Sequence, residues 1–563
     1  MLPLSEYPRP QLKRDSYLSL NGYWDYQIIT AQNKLKREGK ILVPFSPESK
    51  LSEVNEILLP NETLIYKRSI DISSFENFRH ILLHFEKVDQ ICALYINDIK
   101  AIENNNGYLP FEVDIKPFIK DYKEVNIRLE VKDFTDASYQ LRGKQKLKRG
   151  GIFYTPSSGI YMPVWLEGVN ENYIQKIKIT PDIDNEVVNL IIYSKSENVE
   201  ISLEGENLIV ATNKLVPIKI KNLKLWTPET PYLYQFQVKS NDDVVSSYFA
   251  MRKFSILKDK KGISRLALNN KPLFMKGVLD QGYYMDSLLT PSKDEDYIND
   301  ILAIKKMGFN VSRKHIKIES LRWYYYCDKL GLIVWQDFIN GGGKINLVKN
   351  FIFEKLNPHL SDKHYGFFNR KNKEGREQNE KIFYQIIEYL YNCPCIALWT
   401  IFNEGWGQFD SKRIYQNCLK IDNTRIYDHA SGWFDQCISD VKSLHIYFKR
   451  VKMPKLNKVN NRSIILSECG GYSLKIDNHT FSNKEFGYKK MKNKEEFLSY
   501  YSSLVKEDII DNIQKGLSAF IYTQLTDVEN ELNGFITYDR KVNKVSFEEI
   551  KEINDKITLN EEL

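Results

Sequence analysis

Two glutamates sit where carboxylate chemistry needs them. Glu404 follows the apolar run IALWTIF, in Asn403-Glu404-Gly405, and Glu468 follows SIILS, in Glu468-Cys469-Gly470-Gly471. A convergent pair of carboxyls suits the cleavage of a glycosidic bond. One is protonated and helps the leaving oxygen depart; the other is ionised and attacks the anomeric carbon. Their mutual repulsion helps raise one pKa, which separates the roles. A gap of about 5–5.5 Å serves a retaining mechanism, and about 6.5–9.5 Å an inverting one. Either glutamate alone reads as an ordinary strand-end charge. The pair, one after Asn and one before Gly-Gly, carries the chemical reading. The adjacent glycines permit close approach of substrate or loops to the backbone.

Such a pair needs a rigid frame. The chain has 563 residues, room for about three domains at roughly 100–200 residues each. Residues 1–171 read as short alternating strands separated by turns, among them RHILLHFEKV, QICALYIND, VNIRLEVKD and MPVWLEGV. That pattern predicts a β-sandwich. After a break at Asn170 to Asn172, a fresh set of strands fills 172–253: IQKIKITPD, VVNLIIYSK, VEISLEGE, YLYQFQVKS and SSYFAMRKFSI. About 80 residues of this kind suit an immunoglobulin-like sandwich.

Over 254–563 the rhythm changes. Eight strand candidates alternate with helices or long loops: LFMKGVLDQG, NVSRKH, LIVWQDF, IALWTIFNE, RIYDHAS, SLHIY, SIILSECGG and LSAFIYTQLTDVE. This is the pattern of an eight-stranded (β/α) barrel, whose active site lies at the C-terminal strand ends. Glu404 then ends strand four and Glu468 strand seven. Two loops are long, 339–378 and 472–493.

Other polar residues fall at the same rim. Asp280 and Gln281 follow strand one, Arg313 and His315 end strand two, and Asp337 ends strand three. Asp428 and His429 end strand five, with Trp433 beyond. His445 and Tyr447 end strand six; Gln524, Asp527 and Glu529 end strand eight. Each alone reads as a packing residue. So many hydrogen-bonding groups at one rim imply a polyhydroxylated ligand. The alternative, zinc held by His315, His429 and His445, is not needed to explain them, and no metal ligand is assigned.

Composition removes several other classes. The net charge, +7, is mild for this length, and the densest basic patch, RGKQKLKRG, lacks any helix-turn-helix or RNA-binding pattern. Nucleic acid is not an expected partner. No apolar window is long enough for a membrane span. The opening MLPLSEYPRPQLKRD lacks the apolar core of a secretion signal, so a cytoplasmic location is expected. Seven irregularly spaced cysteines make no disulfide framework. Cys393 and Cys395 have no partner pair at zinc spacing, and Cys469 reads as a small buried residue rather than a nucleophile. An aromatic content of 13% fits a strand-rich chain as well as a sugar site.

Several ordered motifs resemble glycoside hydrolase family 2 along nearly the whole chain. YPRPQLKRDSYLSLNGYWDY, YLPFEVDI and SSGIYMPVWLE look like its N-terminal sugar-binding jelly roll. LWTPETPYLYQFQV looks like the close of its immunoglobulin-like domain, and GVLDQGYYMD, MGFNVSRKHIKIE and FNEGWGQFD like parts of its TIM barrel. The resemblance implies a retaining mechanism on β-linked sugars, with Glu404 as acid/base and Glu468 as nucleophile. It implies that Asn403 binds the sugar 2-hydroxyl and that Tyr447 orients Glu468. The remaining substrate-binding candidates are His315, Asp280, Trp433, His445, Gln524, Asp337 and Arg313.

Departures from the family bear on the sugar. Family glucuronidases place Asn-x-Lys before a Thr-x-Asp-Arg-Lys stretch; here ITYDRK follows Glu531-Leu532-Asn533. The lysine is missing and an acid stands nearby, so a glucuronide is disfavoured. Family galactosidases send an aspartate into the pocket from a first-domain loop, where it helps bind a cation. Here that loop looks like LRGKQKLKRG, with Lys144 or Gln145 in the region. No cofactor is required, and a magnesium or sodium ion is not indicated. The leading expectation is an exo-β-glycosidase for neutral sugars, with galactoside as substrate. The alternatives are a β-glucoside or β-mannoside, or a silent carbohydrate-binding protein on the same scaffold. A purely structural or adhesive sandwich protein conflicts with the polar barrel rim. A homo-oligomer is compatible with the sequence.

Overall fold

The computed structural model describes residues 2–119 and 123–559. Its N-terminal part stacks a four-stranded sheet on a six-stranded antiparallel sheet. Alternation drives this layering. In Gly22–Ile29, for example, Trp24, Tyr26 and Ile28 are buried while Tyr23 and Asp25 are exposed. The buried faces meet in one core that includes Trp24, Tyr66, Phe85, Leu129 and Leu166.

Seven strands between Ile174 and Phe249 form two further antiparallel sheets, of three and four strands. They close on a core of Ile177, Leu190, Ile201, Phe236 and Phe249. Two of these strands, Glu206–Ala211 and Leu215–Lys219, lie mostly in solvent.

The eight barrel strands are Met275–Asp280 (β1), Val311–Lys314 (β2), Ile333–Asp337 (β3), Ile396–Thr400 (β4), Ile426–Asp428 (β5), Val441–Ile446 (β6), Ser463–Gly470 (β7) and Leu517–Thr523 (β8). They form one parallel sheet running β5-β4-β3-β2-β1-β8-β7-β6. The β5–β6 seam is stitched by Tyr427 N–H to Asp440 Oδ2 at 2.8 Å and Asp440 N–H to the Tyr427 carbonyl at 3.2 Å. Before β1, the antiparallel strands Phe254–Lys258 and Ser264–Leu268 lie against the barrel core through Leu266 and Leu268. Arg265 fastens them there by donating to the carbonyls of Leu517 and Ile513, each at 2.8 Å.

The second sandwich is pinned to the barrel by Trp226, which is fully buried. Its Nε1 donates to the Asp328 carbonyl at 2.8 Å, and its ring meets Phe254 edge-on. Trp226→Ala removes that packing and leaves a cavity. Denaturant unfolding is expected to show a loss of about 3–5 kcal/mol.

Candidate active site

Glu404 lies four residues past β4, on a segment that still pairs with the chain beyond β5. Ser431 N–H donates to the Phe402 carbonyl at 2.7 Å, and Glu404 N–H to the Ser431 carbonyl at 2.9 Å. Glu404 takes a left-handed conformation (φ 51°) and Gly405 follows in the same region (φ 65°). A Cβ on Gly405 would lie 2.4 Å from the Phe434 ring, so only glycine fits. Glu468 is aimed by a bulge. The register of β7 slips at Ser467 against both β6 and β8, which turns the next side chain towards the barrel mouth.

The two carboxylates converge on His445. Its Nδ1 lies 2.9 Å from Glu404 Oε1 and 3.6 Å from Glu468 Oε2, and its Nε2 lies 3.0 Å from Ser431 Oγ. Carboxylate oxygens of Glu404 and Glu468 come within 4.8 Å of each other. Glu468 has the stronger donors. Arg313 Nη1 reaches Oε1 at 3.0 Å, and the Tyr447 hydroxyl donates to Oε2. Burial alone would raise the Glu468 pKa. The charges of His445, Arg313 and His315, with the Tyr447 hydrogen bond, outweigh burial and hold it well below the usual carboxylate range. Glu404 has no arginine or lysine partner among the described residues.

Arg313 is the hub beneath them. Its Nε and Nη2 grip Asp337 at 3.1 Å each, and Nη2 also donates to Asn403 Oδ1 at 2.9 Å. The Asn403 amide nitrogen is thereby left without a partner among the described residues. Asp337 also holds His315 Nδ1 at 2.7 Å. Burial, then the charge of Lys144, pull the His315 pKa down to about 4, so this imidazole is neutral at neutral pH. Tyr447 is stacked on Tyr488 with ring centroids 3.9 Å apart. Tyr488 had no signal in the sequence beyond the neighbouring Gly471, whose Cβ would lie 2.4 Å from its ring.

Tyr447→Phe tests this support. The variant removes one hydrogen bond to a charged group, worth about 1.5–3 kcal/mol. The acid limb of the kcat/KM profile is expected to move up by about 1–2 pH units, at about 1.36 kcal/mol per unit. Because the folded pKa is depressed, Glu468 stabilises the fold above its unfolded pKa of about 4.3, and that contribution fades as pH falls below it. Acid unfolding of Tyr447→Phe should therefore begin at a higher pH than that of the parent.

Some rim residues are placed differently from the sequence expectation. Asp280 is in register with Lys314, not with Arg313. Side chains alternate along a strand, so Asp280 points out of the barrel. Its Oδ2 takes Lys314 Nζ at 2.6 Å and its Oδ1 the Gly282 N–H at 2.8 Å. Gln524 is fully buried and its amide is used at both ends, accepting from Gln281 and donating to Asn533, each at 2.8 Å. His429 turns into its own loop, 2.8 Å from Ser439 Oγ. Asp527 holds Lys544, and Glu529 takes the Thr155 N–H of the first sandwich. Trp433 stays at the mouth. Its ring lies 5.9 Å from Phe351 of the helix Leu347–Leu356, which belongs to the long 339–378 loop. Glu531 accepts from the Tyr154 hydroxyl and from Asn533 Nδ2 at 3.1 Å, so both its oxygens are engaged.

Among the described residues, two groups bring three metal-ligand atoms within 4.8 Å: Glu404, His445 and Glu468, and His359, Asp435 and Cys437. Neither fits a cation well. Arg313 occupies Glu468 in the first, and Arg462 and Lys442 take both oxygens of Asp435 in the second.

Comparison with known proteins agrees with this architecture. Residues 29–159 match a glycosyl hydrolase 2 galactose-binding domain-like model, 171–252 a glycosyl hydrolases family 2 model, and 259–558 the family 2 TIM barrel domain. A putative beta-glucuronidase of Formosa agariphila is 25% identical over 60% of this chain and 39% of its own length. A beta-galactosidase of Lactococcus lactis is 24% identical over 74% of this chain and 42% of its own. The chain thus spans about two fifths of these relatives. A beta-D-glucuronidase structure from Dictyoglomus thermophilum shares the fold at TM-score 0.76, with 17% identity over 98% of this chain and 99% of that one. With its barrel model covering more than half of the sequence, the chain belongs to glycosyl hydrolase family 2.

Proposed function

We propose that this protein is a retaining exo-β-glycosidase acting through a covalent glycosyl-enzyme. The observation that carries the reading is the approach of Glu404 and Glu468 oxygens to within 4.8 Å. Oxygens this close suit direct attack by one of the two carboxylates, as a retaining mechanism requires. Glu468, kept ionised by Arg313 and Tyr447, attacks the anomeric carbon. Glu404 gives its proton to the departing oxygen, and the glycosidic bond breaks as the ester to Glu468 forms. Glu404 then takes a proton from water, whose oxygen attacks the same carbon and releases Glu468. Two displacements restore the β configuration. The Asn403 amide nitrogen, without a partner among the described residues, supports donation to the sugar 2-hydroxyl.

Loops narrow the mouth. Phe153 of the first sandwich packs edge-on against Trp406, two residues past Glu404. A first-sandwich loop beside Glu404 supports the binding of a chain end, hence exo action. The sequence favoured a neutral sugar of galactoside type partly because Glu531 would repel a uronate. Engagement of both Glu531 oxygens by Tyr154 and Asn533 weakens that objection. Proton NMR of aryl β-glycoside hydrolysis tests the reaction. The β anomer of the free sugar is expected first; the α anomer first would mean inversion and overturn the proposal.

A further inference from the structure

Two arginines are sealed behind the loops of the barrel mouth with no carboxylate to meet them. Arg370 comes from the 339–378 loop. Arg142 comes from the loop after the first sandwich's strand Glu124–Lys132, where the N–H groups of Arg142 and Gly143 both donate to the Asn340 carbonyl at 3.1 Å. Each arginine is 2% exposed. The two side chains flank Gly342. Arg142 Nη1 donates to the Gly342 carbonyl at 2.5 Å and its Nη2 to the Gly343 carbonyl at 3.5 Å. A Cβ on Gly342 would lie 3.2 Å from both Cδ and Nε of Arg370.

Arg370 uses only Nε on the protein, donating to the Gly407 carbonyl at 2.7 Å. Its Nη1 and Nη2 are buried and have no hydrogen-bond partner among the described residues. The same holds for Arg142 Nε and for Nε1 of Trp406, whose ring lies 6.0 Å from the Arg142 guanidinium. Other buried arginines are matched. Arg14, Arg265, Arg313, Arg425 and Arg462 each hold a carboxylate. Arg252 holds none, but it lines a surface cleft and its terminal nitrogens keep access to water. The carboxylate felt at Arg142 is Asp136, which accepts the Leu147 N–H at 3.2 Å and makes no ion pair with either arginine among the described residues. Burial, then the charges of Arg142 and Arg376, pull the Arg370 pKa down to about 9, so it is still charged at neutral pH.

A guanidinium taken out of water without an anion is costly. The Phe409 ring, 5.3 Å from the Arg370 guanidinium, recovers only part of that cost. A water molecule would accept from Nη1 or Nη2 but would leave two like charges facing each other. We infer that a monatomic anion of the chloride class sits between Arg370 and Arg142, held by their unpartnered N–H groups. The nitrogens are closed off from bulk solvent, so a sugar acid has no route to them. The ion braces the mouth, because Arg370 Nε holds the carbonyl of Gly407, three residues beyond Glu404.

The native protein is dialysed into sodium gluconate and titrated with sodium chloride or sodium bromide at constant ionic strength. The Tm is expected to rise by about 3 °C or more and to saturate. In Arg370→Met this halide-specific rise should disappear. Crystals of the native protein grown in bromide should give an anomalous peak within hydrogen-bonding reach of Arg370 Nη1 or Nη2. That peak, with a saturable halide response, upholds the inference. No peak at that place overturns it. So does a Tm that responds to halide no more than to gluconate, or a response kept in full by Arg370→Met. The crystal measurement uses the native protein, so it decides even if Arg370→Met fails to fold.

Discussion

Glu468→Gln is expected to lower kcat/KM for every hydrolysed aryl β-glycoside by about 10⁴-fold or more. The amide keeps the size of the carboxylate but cannot attack carbon. It also presents an N–H₂ to Arg313 Nη1 or to the Tyr447 hydroxyl, which now donate to the carboxylate. The loss should appear even with the best leaving groups, because no leaving group replaces a nucleophile. A 10⁴-fold change corresponds to about 5.5 kcal/mol of barrel-mouth stabilisation of the transition state. Arg313 keeps Asp337 as its partner in the variant. The fold should therefore survive, and a thermal melt checks this. Activity within about tenfold of the parent would assign the nucleophile elsewhere.

Glu404→Gln is expected to behave differently, because its effect depends on the leaving group. Proton transfer contributes about 10²–10⁴-fold. A glycoside with a poor leaving group such as methoxide needs that proton and should lose activity in this range. A dinitrophenyl glycoside departs unprotonated, so formation of the glycosyl-enzyme should be nearly spared. Hydrolysis of that intermediate then lacks its general base, and a burst of dinitrophenolate followed by slow turnover is expected. In Glu404→Ala, azide can enter the vacated space and attack without giving up a proton. It should restore turnover and release a β-glycosyl azide. Equal losses for both leaving groups, with no burst, would remove Glu404 from the acid/base role.

Much of this site was legible in the sequence, for a physical reason. Barrel strands are apolar and short, and a polar residue just past one must sit at the rim. That logic located Glu404, Glu468, Arg313, Asp337, His315 and His445, and the structure brings these six together. It failed where the side-chain face mattered. Asp280 ends β1 as Arg313 nearly ends β2, yet register with Lys314 sends it to the helix side. The alternation of a strand is visible in sequence, but the end at which it stops is not. Gln524 illustrates a second limit, since a buried amide saturated by Gln281 and Asn533 looks the same in sequence as one facing a sugar.

Loops were the least legible part. Tyr488 reaches Tyr447 from the 472–493 loop, and Arg142 and Gly143 of the first sandwich reach the Asn340 carbonyl of the barrel. Neither has a periodic pattern that would mark it. The bulge at Ser467 was equally hidden, because a one-residue slip changes pairing without changing composition. In the second sandwich, strands Glu206–Ala211 and Leu215–Lys219 escaped the sequence reading because their residues are largely exposed and lack a strong apolar alternation.

The covalent intermediate on Glu468 is the central claim. 2-Deoxy-2-fluoro β-glycosides with a dinitrophenyl leaving group, in the gluco, galacto, glucurono and galacturono series, slow the second displacement and so trap it. Intact-mass and peptide analysis should show one fluoroglycosyl unit per chain, esterified to the peptide carrying Glu468. A label on Glu404, or rapid turnover of the parent glycosides with no label at all, would contradict the assignment.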